Sequence, residues 1–278
     1  VLGMSASWAS FALMLALMVD AVTDPLVGSF SDNLRSRLGR RHPLMYAAAL
    51  PMGISLCALF LPPAGLSNIQ LFAWLLAFAV ATRFSQTFFD VPWTALFAEF
   101  TESYEERSSI VTFRYLCGWI GGGLMTLMTW RYIFPSTERY EQGQLNPEAY
   151  ATFAPVVGGL VALAIVLTTE LTRRDVPYLL QPDQPTPRFS PRRAFHEVVL
   201  ALGNFDFRRL FISILIFGAL SGAGNAMELY INTYFWGFSG EDLQWFTLTF
   251  IGALTAFALV LPIQSVLDKK YVLLVGLL

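Results

Sequence analysis

An all-α bundle of membrane-spanning helices is the fold class that the amino-acid sequence predicts, and three observations carry that reading. Of 278 residues, 55% are hydrophobic and only 14% are charged, against roughly 25% charged in an average soluble domain. The apolar residues gather into stretches of about 20 or more, the length a helix needs to cross a bilayer core. The basic residues collect in alternate connections between those stretches. A net charge of −2 gives no support to a nucleic-acid partner, and two cysteines, Cys57 and Cys117, are too few for a disulfide framework.

The first span runs from Leu2 to Phe30 and carries Asp20 and Asp24. It is too long, and wrongly charged, for a cleaved signal peptide. Pro43 to Pro62 follows without a charge, then Ile69 to Ala98 with Arg83 and Asp90. Ile110 to Phe134 contains Arg114, with Arg131 near its end; Tyr150 to Thr169 is uncharged. Leu210 to Trp236 contains Glu228, Leu243 to Leu267 is again uncharged, and an eighth span begins at Tyr271. With the Arg35–Arg41 cluster placed in the cytoplasm, 14 of the 18 basic residues fall on that side and only Arg131 and Arg139 outside. That is a strong positive-inside signal. Val1 then starts on the outer side, so one preceding helix is the simplest expectation, and the chain reads as an excerpt of a longer protein covering about helices II to IX.

On that count the sequence divides into an N-terminal bundle (1–172, helices II to VI), a cytoplasmic linker (173–208) and the start of a C-terminal bundle (209–278). The linker opens with Pro177, Pro182, Pro185 and Pro187, which preclude regular helix. Ser190 and Pro191 suit a helix start, and Phe195, Val198, Val199 and Leu202 follow at i, i+3, i+4, i+7. This pattern fits an amphipathic helix on the inner membrane surface or one packed on the bundle's end. Six helices, a cytoplasmic linker and further helices make the layout of a two-bundle secondary transporter.

Ionisable groups inside spans are expensive and are functional candidates by default. Asp20 and Asp24 lie four apart, on one helix face, where they repel each other unless a cation or proton sits between them. Pro25 lacks an amide hydrogen and leaves the carbonyl of Ala21 without its helical partner, so the face offers a hard-oxygen site for Na⁺ or a proton. At about 1.5 Å rise per residue, Asp24, Asp90 and Arg114 lie roughly 9 to 12 Å from the cytoplasmic ends of their helices, one layer of the bilayer. Arg83, Thr87 and Asp90 follow i, i+4, i+7 and share a face. Arg83 is placed to neutralise Asp20 and so replace a metal cation with an internal ion pair.

Several motifs carry a family resemblance. Gly28-Ser-Phe-Ser-Asp32-Asn-Leu-Arg35-Ser-Arg37-Leu-Gly39-Arg40-Arg41-His42-Pro43 resembles the helix II–III loop of the major facilitator superfamily. Its extended form is similar to that of the glycoside–pentoside–hexuronide:cation symporters, the family of melibiose permease. Asp20-Ala-Val-Thr23-Asp24-Pro25 resembles that family's helix II acidic pair, and Asp90-Val-Pro92-Trp93 its helix IV motif. Glu105-Glu106-Arg107 with Arg114, and Asn232-Thr-Tyr-Phe-Trp236, resemble its helix IV–V loop and helix VII. Thr94 stands where the family frequently has tryptophan.

The resemblance implies a major facilitator fold in a plasma membrane (the inner membrane of a bacterium) and cation-coupled symport of a sugar or glycoside by alternating access. It implies a cation site of Asp20, Thr23, Asp24 and Thr87, and a substrate site of Asp90, Arg114 and Trp93. Carboxylate and guanidinium suit sugar hydroxyls, and an indole suits a sugar ring. Gly28, Asp32, Arg37, Gly39, Arg40 and Arg41 form a cytoplasmic gate motif. The implied partners are a small-molecule substrate and the lipid bilayer. No cofactor is expected beyond the coupling ion, no metal beyond possible Na⁺ at Asp20 and Asp24, and no enzymatic activity, since no nucleophile–base arrangement is present. The alternatives are a lysophospholipid transporter of the same fold and a non-transporting membrane sensor.

Overall fold

In a computed structural model, the described residues are 4–179 and 199–245, with isolated positions at 190 and 196 and between 248 and 259. Most of the predicted linker helix, including Pro191, Phe195 and Val198, and most of the spans from Leu243 and Tyr271 lie outside the described residues. Among the described residues all regular structure is helical: α1 (Ala6–Asn33), α2 (His42–Phe60), α3 (Asn68–Phe100), α4 (Tyr104–Met128), α5 (Tyr150–Arg173), α6 (Phe205–Tyr230) and a short α7 (Gly240–Trp245). The first six are long and apolar enough to cross a membrane, and each contains the core of a span read from the sequence. Two of them end in a π-helical turn, Thr129–Ile133 after α4 and Ile231–Phe235 after α6.

Local chemistry sets the helix ends. Ser67 and Gln70 form a capping box at the start of α3, each satisfying an amide of the other. Ser103 caps α4 by accepting from the Glu106 amide, and Asn204 caps α6 by accepting from the amides of Asp206 and Phe207. Pro43 occupies the first turn of α2, where its missing N–H would have no partner anyway. The turn between α1 and α2 closes through Gly39, at φ +80, whose amide donates to the Ser36 carbonyl. A side chain there would be forced into a left-handed conformation and its Cβ would meet Val176 Cγ1 at 2.9 Å.

The chain forms two compact units, one of Val1–Thr101 with Pro147–Gly237 and one of Glu102–Asn146 with Phe238–Leu278. In the first, α2 packs between α3 and α5, and α1 lies along α3. Small residues make these contacts: Ala12 and Ala16 of α1, Ala79 of α3, and Ala48 and Ala49 of α2 are buried. Gly53 of α2 meets Gly158 of α5, where an added Cβ on Gly158 would stand 2.7 Å from the Gly53 carbonyl oxygen. The Cys57 thiol donates to the Ala154 carbonyl across the same seam. With no water in the hydrocarbon to drive helices together, close backbone approach of this kind supplies the association energy. In the second unit, α7 packs against the π-helical turn that ends α4.

Candidate functional site

A cleft of about 520 Å³ opens between α1 and α3 within the first unit. Asp20 and Asp24 line it from α1; Arg83, Gln86, Thr87, Asp90, Val91, Thr94 and Ala95 line it from α3. Helical periodicity explains the convergence. Residues 20 and 24 lie one turn apart, and 83, 87, 90 and 94 repeat at four, three and four, so each set forms a single stripe. Pro25 and Pro92, inside α1 and α3, each leave a carbonyl one turn earlier without its usual donor.

Three side-chain contacts organise the cleft. The Thr87 hydroxyl donates to Asp24 Oδ1 at 2.8 Å and also lies 3.2 Å from the Arg83 carbonyl. Arg83 Nη1 lies 3.6 Å from Asp20 Oδ2, an ion pair across the two helices. Gln86 Nε2 donates to Asp90 Oδ2 at 2.9 Å. The second Asp20 oxygen, Oδ1, is buried with no hydrogen-bond partner among the described residues. A buried acceptor in that condition is unfavourable and calls for a donor or a cation. Thr23 sits between the two acids in sequence, but its hydroxyl turns back to the Asp20 carbonyl at 3.4 Å.

The structure thus brings together Asp20, Asp24, Thr87 and Asp90 of the expected site residues. Trp93 does not line the cleft; it lies in an aromatic ladder on α3, 5.4 Å from Phe89 and 5.0 Å from Phe97 between ring centroids. Thr94, one turn beyond Asp90, holds the wall instead. Arg114 belongs to α4 in the second unit, its guanidinium 5.9 Å from the centre of the Tyr115 ring.

A second charged cluster sits at the predicted cytoplasmic end of the first unit. Arg41 Nε donates to Glu99 Oε1 at 2.8 Å, its Nη1 donates to Ser31 Oγ at 2.9 Å, and its Nη2 pairs with Asp32. Arg40 reaches the same Glu99 oxygen at 3.0 Å. Asp32, Arg40 and Arg41 are thus linked through one cluster, Gly39 forms the turn just before it, and Arg37 is exposed in the loop. Gly28 faces α3, a Cβ there falling 3.6 Å from Val91 Cγ1. Alongside, buried His42 contacts the Thr172 hydroxyl at 3.1 Å, and Tyr46 donates to Glu170. Glu99, Ser31 and Gln86 escape the sequence reading. Glu99 stands alone at a helix end, and serine and glutamine cost too little in a span to be noticed.

Among the described residues, no three His, Cys, Asp or Glu side chains group closely enough to hold a metal ion by themselves. A family profile described as MFS/sugar transport protein matches residues 1–278. An uncharacterized symporter of Synechocystis sp. is 28% identical over 229 residues, 77% of this chain and 42% of the relative. A lactose permease of Leuconostoc lactis is 24% identical over 57% of the chain and 26% of its own length. The sodium-dependent lysophosphatidylcholine symporter 1 of Xenopus tropicalis is 27% identical over 64% of the chain and 39% of its own length. The chain thus spans less than half the length of each of these relatives. The matches and the six apolar helices identify a multi-pass integral membrane protein.

Proposed function

Because the chain belongs to the MFS/sugar transport protein family, we propose that it forms part of a secondary active transporter that couples Na⁺ or H⁺ to the symport of a sugar or glycoside. The observation that carries this reading is the cleft between α1 and α3, which three carboxylates and an arginine line. Such groups are tolerated in a membrane only when they face a wet cavity and change partners in function. The cation site comprises Asp20, Asp24 and Thr87, with Thr23 adjacent; the buried, unpartnered Asp20 Oδ1 supports it. Asp90 accepts substrate hydroxyls on the same face, while Trp93 stands in the aromatic ladder with Phe89 and Phe97. A cation or proton at the Asp20–Asp24 pair lowers the repulsion beside Asp90, so ion and substrate favour each other's binding reciprocally.

Residues 1–172 then belong to the first bundle, 173–208 to the linker and 209–278 to the start of the second. The Arg40/Arg41–Asp32–Glu99 cluster braces the cytoplasmic end and parts as the bundles rock. The Xenopus relative's name favours a second reading, a lysophospholipid as cargo. Uptake into proteoliposomes made with the full-length protein separates the two. The proposal expects uptake of a radiolabelled saccharide from a panel including lactose, driven by an inward Na⁺ or H⁺ gradient and lost in Asp24→Asn. Movement of lysophosphatidylcholine without saccharide uptake favours the second reading. Transport of neither overturns both.

A further inference from the structure

We propose that Arg83 is a tethered cation at the Asp20–Asp24 pair, and that its guanidinium stands in for a metal ion there and keeps Na⁺ out. The inference rests on the reading of that pair as the coupling site, and it specifies which ion that site refuses. The guanidinium Nη1 lies 3.6 Å from Asp20 Oδ2, on the wall of the cleft that Asp24 shares. A guanidinium cannot be deprotonated in a protein, so this positive charge is permanent.

A hard cation binds by gathering oxygen ligands, carboxylates foremost. Two ionised carboxylates alone present a charge of −2 to an incoming ion; with Arg83 in place the group presents −1. A fixed positive charge about 5 Å from the ion, at an effective dielectric near 20, weakens monovalent cation binding on the order of 100-fold. Asp90 also lines the cleft and keeps its charge, its carboxylate accepting from Gln86 Nε2 at 2.9 Å; about 10 Å along α3 from Arg83, it acts on an ion beside Asp20 more weakly than the adjacent guanidinium. Nor does Arg83 serve mainly to hold the helices together. Its side chain is 44% exposed and its contact with Asp20 is long, the kind of pair that adds little to stability. The residues present therefore do not fit a sodium ion at this pair.

Equilibrium binding of radiolabelled sodium to the purified full-length protein, in a choline chloride background, tests the inference without any transported substrate. The wild type is expected to show no saturable binding that Asp24→Asn removes. Arg83→Ala and Arg83→Gln are expected to gain such binding, tighter by about 100-fold, while Arg83→Lys, which keeps the charge, stays like wild type. Thermal unfolding followed by tryptophan fluorescence selects the neutral variant that remains folded. Saturable Asp24-dependent binding by wild type overturns the proposal; so does its absence from a folded neutral variant. Failure of saccharide uptake bears on the transport reading alone and leaves this result standing.

Discussion

Two charged groups in the first unit use the same residue types to opposite ends. At the predicted cytoplasmic end, Arg41 and Glu99 side chains are 7% and 8% exposed, and Arg41 spends its donors on Glu99, Asp32 and Ser31 at once. In the cleft, Arg83 is 44% exposed and touches one carboxylate oxygen at 3.6 Å, while Asp20 Oδ1 has no partner among the described residues. A buried, multiply bonded network resists rearrangement, because removing a member leaves a buried charge short of partners, although Arg40 Nε has none among the described residues. A loose, wet one exchanges partners at small expense. On the function proposed above, the first acts as a brace and the second as a site.

Substitutions can break this contrast, beginning with the largest effect. Glu99→Gln removes Arg40's ion pair and leaves Arg41 with Asp32 and Ser31, and is expected to destabilise the full-length protein by about 3 kcal/mol, read as a fall in thermal midpoint in detergent. Arg83→Gln, by contrast, is expected to change stability by about 1 kcal/mol or less in the same measurement; an equal fall for the two variants would erase the distinction. Thr87→Val removes one hydrogen bond to Asp24 and should weaken cation- or proton-driven uptake by roughly tenfold, about 1 to 1.5 kcal/mol. The smallest effect is expected of Trp93→Phe. It preserves the ring ladder with Phe89 and Phe97 and should leave uptake within about threefold of wild type, under 1 kcal/mol. A complete loss of uptake would instead return Trp93 to the substrate.

The cleft was legible in the sequence because its residues obey helix arithmetic. Asp20 with Asp24, and Arg83 with Thr87 and Asp90, fall on single stripes, and the cost of charge in a membrane singles them out. Its charge within a span marks Arg83 as able to neutralise Asp20, and packing of α3 against α1 brings the two together. Trp93 was harder to place: three residues beyond Asp90, it shares its row with Phe89 and Phe97, while Thr94 sits one full turn above the aspartate. The gate motif named Asp32, Arg40 and Arg41 but not their common partner. Glu99 lies 58 residues from Arg41 in sequence, and an isolated acid at a helix end looks the same whether it faces water or a buried arginine. Only packing of α3 against α1 and α2 tells the two apart.

The seam between α2 and α5 has a mechanical consequence. Where Gly53 and Gly158 meet, main chain rests on main chain, and an atom added to Gly158 would fall 2.5 Å from Cys57 Sγ. Such a joint has no rotamers to flip and no slack to take up, so the two helices travel as a single plank. α2 and α5 carry internal prolines of their own, Pro51 and Pro155, but the joint splints them, so bending falls to Pro25 and Pro92 in α1 and α3, the pair that walls the cleft.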